Sequence, residues 1–231
     1  MATRAALIVG ASRGLGLGFT QRLLERDWQV TATSRTGGVG GLSDLAQRSA
    51  DRLALETVDI DVEDQVAALH ERLSGTGFDL VFVNAGTTHD RWETVLDVST
   101  TTFNRVMTTN ALSPMRFVET FRDLVPATGT IGVMSSGQGS ITNNTRVTGW
   151  EIYRASKSAL NQLMRSFAAR HPGEPHTLLL MAPGWVRTEL GGSEAPLTVE
   201  ESTRGIADVV EAQAGRGGLH YLDHRGQTVL W

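Results

Sequence analysis

The 231-residue sequence contains no cysteine, one lysine and only two tyrosines. Without thiols there is no disulfide framework, no thiolate metal site and no cysteine nucleophile. No stretch approaches the roughly 18 consecutive apolar residues of a membrane-spanning helix. Met1-Ala2-Thr3-Arg4 runs straight into a short apolar segment, with no signal-peptide h-region or cleavage site. These absences predict a cytoplasmic protein that does not engage a membrane. Basic residues are not in excess: 21 Lys and Arg stand against 25 acids, for a net charge of −4. They are dispersed and leave no basic face for nucleic acid. The six histidines, with no cysteine beside them, are assigned to no metal site.

What is present gains meaning from that scarcity. Lys157, the sole lysine, lies four residues after Tyr153 in the run Tyr153-Arg154-Ala155-Ser156-Lys157. On a helix, residues i and i+4 share a face, so both side chains can enter one site. An ammonium is a compact charge that takes part in proton traffic, whereas a guanidinium stays charged and planar. A phenol ordinarily titrates near pH ~10, and an adjacent cation favours its ionised form. The pair is therefore a candidate for acid–base chemistry.

Short apolar runs alternate with helical patterns along the whole chain. Strands are expected at 5–9, 29–34, 53–59, 79–84, 130–135, 176–182 and 219–222, and helices at 17–26, 42–48, 62–73 and 153–170. A longer helix is expected over 101–124, interrupted near Pro114. Thr198-Val199-Glu200-Glu201 has the spacing of a capping box and should open a last helix through Ala212. Such alternation predicts a single doubly wound α/β Rossmann domain over residues 1–231, with a seven-stranded, mostly parallel sheet and helices on both faces. A Gly-rich run at 37–41 reads as a loop within it.

Gly10-Ala11-Ser12-Arg13-Gly14-Leu15-Gly16 follows the first strand and opens the first helix. Glycines there permit a tight turn and let backbone N–H groups approach a pyrophosphate at the positive end of the helix. The second strand is followed by Arg35. An acid at this point would suit the ribose hydroxyl of NAD; an arginine suits the 2′-phosphate of NADP. Arg13 is a second cation within reach of the same phosphate.

The glycine loop, Asn84-Ala85-Gly86, Asn110, Ser136, Tyr153-x-x-x-Lys157 and Pro183-Gly184 occur in the order seen in short-chain dehydrogenase/reductases. The chain resembles that superfamily over nearly its whole length. Met134-Ser135-Ser136, Tyr153–Asn161 and Pro183-Gly184-Trp185-Val186-Arg187-Thr188 make it most similar to the small C-factor and sniffer-type carbonyl reductases. The resemblance implies an NADP(H) cofactor and a carbonyl or alcohol substrate. It makes Tyr153 the general acid, and Lys157 the residue that lowers the Tyr153 pKa and binds the nicotinamide ribose. Ser136 would bind the substrate oxygen, and Asn110 would hold a relay water. Gly10, Ser12, Arg13, Gly14, Leu15 and Gly16 would cradle the pyrophosphate. Asn84, Ala85, Gly86, Asp59 and the neighbouring Ile60 would line the adenosine side; Pro183, Gly184, Val186 and Thr188 would contact the nicotinamide half. A homodimer or homotetramer is compatible with the resemblance.

Some assignments have competitors in the sequence. Ser136 lies seventeen residues before Tyr153, where relatives place the serine about a dozen before it, a spacing that would select Ser140. Ser136 is preferred because it ends the fifth strand, with Ser135 pointing into the sheet. Asp59 is preferred over Asp61 because Asp61 reads as a helix N-cap. His89, Trp92, Gln138, Trp150 and Trp185 are candidates to line a pocket, and core packing is the alternative for each. The segment between Thr188 and Pro196 is short, which predicts an open site. The principal alternative function is a cofactor-binding signalling or regulatory protein of the same fold with little turnover.

Overall fold

The computed structural model describes residues 3–37 and 40–231, so part of the Gly-rich run at 37–41 lies outside the described residues. Its centre is one sheet of seven strands: β1 (Ala5–Val9), β2 (Gln29–Ser34), β3 (Leu53–Thr57), β4 (Leu80–Val83), β5 (Thr130–Met134), β6 (Thr177–Ala182) and β7 (Gly218–Asp223). The spatial order is β3-β2-β1-β4-β5-β6-β7, and every pairing is parallel. Order reverses between β1 and β4, which opens a crevice beyond their carboxyl ends.

The strands are apolar on both faces because both are covered. β4, β5 and β6 are buried throughout. On one side, Leu7, Val9, Val81, Val83, Val133 and Leu180 pack with Phe117, Phe121, Leu160, Met164 and Phe167 from the helices. On the other, Ile8, Phe82 and Met181 pack with Phe19, Leu23, Ile206 and Val210. Gly132 pairs with Phe82 across the β4–β5 ladder, and a Cβ on Gly132 would lie 2.4 Å from the Phe82 ring. The omitted side chain makes room for that ring, which meets Phe19 edge-on at 5.1 Å.

The helices that shape the crevice are α1 (Gly14–Glu25), α2 (Gly41–Arg48), α3 (Glu63–Leu73), α4 (Thr100–Met107), α5 (Ser113–Phe121), α6 (Glu151–Arg170) and α7 (Val199–Gln213). The helix expected at 101–124 breaks where the sequence indicates, but in a particular way: Thr108–Leu112 forms a π-helical turn between α4 and α5, and Pro114 sits in the first turn of α5. The capping box forms, with Glu201 N–H donating to Thr198 Oγ1 at 3.0 Å and Thr198 N–H to Glu201 Oε2 at 2.8 Å. β3 is shorter than the expected 53–59. Its chain turns away at Asp59, whose N–H donates to Gln65 Oε1 and whose carboxylate accepts from Asp61 N–H.

Candidate active site

The carboxyl ends of β1, β4, β5 and β6 deliver the expected residues to one crevice. Gly10 follows β1 at φ +85, and a Cβ there would come within 2.8 Å of the Ala85 backbone. A Cβ on Gly16 would meet Gly10 O at 2.1 Å. Only glycine permits both the left-handed turn and the close approach of α1 to the strand ends. Asn84 locks this arrangement: its N–H donates to Val9 O at 2.9 Å and its Nδ2 to Gly10 O at 2.8 Å. The Asn84 side chain thus supports the loop from behind. The first turn of α1 contains no acid, leaving its positive end free for an anion.

Beyond β5, Ser136 Oγ accepts from Gln138 N–H at 3.1 Å and stands close enough to the Tyr153 phenol to favour its ionised form. Ser140 is committed elsewhere, accepting from Asn143 N–H. Ser135 is buried, with Oγ donating to Asn161 Oδ1 at 2.6 Å. The extra loop residues are held mainly from outside the loop: Arg154 donates to Asn144 Oδ1 and Gly149 O, and Thr142 N–H to Trp231 O, while within it Thr145 N–H donates to Asn143 O. Gln138 Oε1 is buried without a partner.

Tyr153 and Lys157 lie one turn apart in α6, with Nζ 5.8 Å from the phenol ring centre. Nζ donates to Met134 O at 2.8 Å, and Lys157 is 3% exposed. Burial drives the lysine down to about 8. Burial also pushes the Tyr153 phenol up to about 12, against the downward pull of the Ser136 hydroxyl. The expected lowering of the Tyr153 pKa by Lys157 is therefore not what the isolated chain produces: desolvation of the phenol wins.

Asn110 lies fully buried in the π-helical turn. Its Oδ1 accepts from Thr87 N–H at 2.8 Å, and its Nδ2 donates to Thr87 O and Ser156 Oγ, each at 2.9 Å. A Cβ on Gly86 would stand 3.3 Å from Asn110 Oδ1 and 3.7 Å from Lys157 Nζ, so the three residues meet.

The remaining assignments separate. Ser12 is exposed, Leu15 half-buried and Ile60 buried at 6% exposure. Gly14 faces Thr188, bringing the glycine loop opposite the segment after β6, where Pro183 and Val186 are buried and Gly184 is exposed at φ +83. Arg35 is exposed just past β2 and makes no ion pair among the described residues. Arg13 does: it bonds Glu189 at 2.8 Å across the mouth of the crevice. Its largely exposed guanidinium is engaged by a carboxylate that a phosphate would have to displace. The N-cap assignment of Asp61 is also corrected. Position 62 precedes α3 with no side-chain cap, and Asp61 Oδ2 instead accepts from Thr109 Oγ1 at 2.6 Å. The reason for preferring Asp59 over Asp61 goes with it.

The segment after Thr188 folds back on itself. Val186 bridges to Leu197, Trp185 Nε1 donates to Gly191 O, and Gly191 N–H to Thr188 Oγ1. Trp92 and Trp185 are largely exposed, whereas Trp150 stands 6.4 Å from Tyr153, ring centre to ring centre. One residue escaped the sequence reading: Tyr221 on β7 donates its OH to Ser136 O at 2.5 Å, fixing the backbone of the serine. As the only other tyrosine, it carried the same scarcity signal as Tyr153. None of the helices among the described residues is long and apolar enough to cross a membrane.

Comparison with known proteins agrees with this geometry. The family model for short chain dehydrogenases matches residues 4–196. A Burkholderia multivorans structure assigned to the short-chain dehydrogenase/reductases, with bound NADP, is 54% identical, covers all of both chains and superposes with a TM-score of 0.97. A carbonyl reductase from Pseudomonas aeruginosa PAO1 in complex with NADP is 38% identical over the whole of both chains, with a TM-score of 0.93. The C-signal protein of Myxococcus xanthus is 32% identical over 158 residues, 66% of this chain and 92% of that one. With a dinucleotide-type glycine turn, a serine–tyrosine–lysine cluster at the strand ends and a family match over most of its length, the chain belongs to the short-chain dehydrogenase/reductases, a family of oxidoreductases.

Proposed function

We propose that this chain is an NADP(H)-dependent carbonyl reductase that converts a ketone or aldehyde to an alcohol. The observation that carries this reading is the gathering of Ser136 and the Tyr153 phenol with the buried Lys157 ammonium one helical turn away, beside the glycine-turn crevice. The crevice fits a dinucleotide: its floor is cleared of side chains at Gly10 and Gly16, and the amino end of α1 opens onto it. Gly10, Ser12, Gly14, Leu15 and Gly16 would hold the pyrophosphate, and Arg35, with Arg13 once it leaves Glu189, the 2′-phosphate. Asp59 or Asp61, with Ile60, Ala85 and Gly86, would hold the adenosine. Pro183, Gly184, Val186 and Thr188 would flank the nicotinamide. A bound NADPH supplies the hydride; the protein positions and polarises.

The chain's own residues then do three things. Ser136 offers a hydroxyl to the carbonyl oxygen and stabilises charge that develops on it. Tyr153, pushed up to about 12, is protonated at neutral pH and has its proton ready for that oxygen, which suits reduction. Lys157, lowered to about 8, is close to a proton-exchanging group at neutral pH, and Asn110 and Gly86 border it. Acid catalysis of this kind contributes typically 10²–10⁴-fold. Tyr153→Phe should therefore lower carbonyl-dependent NADPH oxidation at least a hundredfold while NADPH binding, read by fluorescence, changes little. Unchanged turnover would refute the assignment of Tyr153.

A second reading, a cofactor-binding signalling protein, is supported by the likeness to the C-signal protein. Tight NADPH binding by the wild type with no turnover across a broad carbonyl panel would select it.

A further inference from the structure

His89 is a buried polar residue that the chemistry above leaves unused. It is 7% exposed, and among the described residues neither Nδ1 nor Nε2 has a hydrogen-bond partner. Buried polar groups are nearly always paired, and an unpaired one calls for an explanation. His89 follows Gly86 by three residues, and its ring stands edge-on to Trp150, centres 6.1 Å apart. Trp150 in turn stands edge-on to Tyr153.

The tryptophan between them is held at a cost. Trp150 has φ 63 and ψ 31, a left-handed conformation that is rare for a bulky residue and costs on the order of 1–3 kcal/mol. Gly149 before it has φ +75, and a Cβ there would lie 2.5 Å from Arg91 O. Trp150 N–H donates to Arg91 O at 2.7 Å, and Arg91 Nε to Thr148 O at 3.2 Å. The chain after His89 is thus tied to the chain entering α6. The tie fixes an indole with the catalytic phenol on one side and the unpaired imidazole on another.

We propose that His89 is a substrate-contacting specificity residue, donating a ring N–H to a second oxygen of the substrate while the substrate's apolar body lies against Trp150. The substrate class is then an aryl or similarly apolar carbonyl compound with another hydrogen-bond-accepting oxygen besides the one at Tyr153. A neutral imidazole donates through one nitrogen and accepts through the other, so keto, carboxylate and hydroxyl oxygens all qualify. The inference rests on the carbonyl-reductase reading and adds to it what the pocket selects.

The test compares wild type, His89→Leu and His89→Gln on paired substrates. Each pair is an aryl monoketone and the same skeleton carrying a second keto or carboxylate oxygen, placed progressively farther from the reacting carbonyl. One hydrogen bond in a buried site is worth about tenfold. His89→Leu should lower kcat/KM about tenfold or more on at least one doubly oxygenated member, change the plain monoketones less than threefold, and leave Tm within a few degrees. His89→Gln, which keeps an N–H donor, should recover part of the loss. Equal losses on both members of every pair would mark His89 as a packing residue and overturn the proposal, as would no loss on any. If His89→Leu does not fold, the Gln variant decides by the same difference between paired substrates. A wild type that reduces no member of the panel would refute the carbonyl-reductase reading itself, and the proposal with it.

Discussion

Lys157 is charged where burial opposes charge, and that conflict has a measurable cost. Its folded pKa of about 8 lies below the ordinary 10.5 because the ammonium is desolvated. Below about pH 8 both folded and unfolded chains carry the proton, and the full penalty applies. Between about 8 and 10.5 the unfolded chain still binds it and the folded chain has released it, so this contribution to stability rises with pH. Lys157→Met should therefore raise stability at pH 7 by roughly 1–3 kcal/mol, with the gain shrinking toward pH 10. Thermal melts of both proteins at the two pH values check this; a gain that persists undiminished at pH 10 would contradict it. The Tyr153–Lys157 pair was legible in the sequence because i,i+4 spacing on a helix is a local property. The partners of Arg13 and Asp61 were not, since Glu189 and Thr109 come from distant parts of the chain and are brought near by the fold alone.

Among the elements, the strands were read nearly to the residue, because chains buried on both faces show as plain apolar runs. The π-helical turn was not. Its residues, Thr108–Leu112, have no distinctive composition, and Pro114 announces a break without saying how the helix accommodates it. The wider turn carries Asn110, and Asn110 closes three hydrogen bonds to Thr87 and Ser156. Asn110→Leu leaves the half-buried Thr87 N–H and C=O without their partner at about 1–3 kcal/mol each, while Ser156 Oγ keeps its bond to Tyr153 O, so a loss of roughly 3 kcal/mol is expected. With a urea m-value of about 2–3 kcal/mol/M, the unfolding midpoint should fall by about 1 M. A midpoint unchanged in this variant would show that the side chain does not hold the turn to the loop after β4.

For the whole molecule, alternating strands and helices announced a parallel sheet, and the crevice follows from where its strand order reverses. Sequence alone could not show that Arg13 and Glu189 join across the mouth of that crevice while Arg35 makes no ion pair among the described residues. A carboxylate on Arg13 competes with any phosphate for the same guanidinium. Removing Arg35 should weaken NADPH binding about ten- to a hundredfold with little effect on NADH, as expected for the loss of a hydrogen bond to a charged group. Glu189→Gln should tighten NADPH binding by releasing Arg13. Equal effects on the two cofactors, measured by fluorescence titration, would remove the arginines from the choice between them.

The scarcity of lysine has one more consequence, and it is chemical. An acylating reagent directed at amines finds in this protein a single side-chain target, and that target is 3% exposed. Surface lysines, which blur such labelling in most proteins, are absent. The rate at which Lys157 is acylated thus reports how often the floor of the crevice opens to solvent, making the residue a built-in probe of breathing at the site.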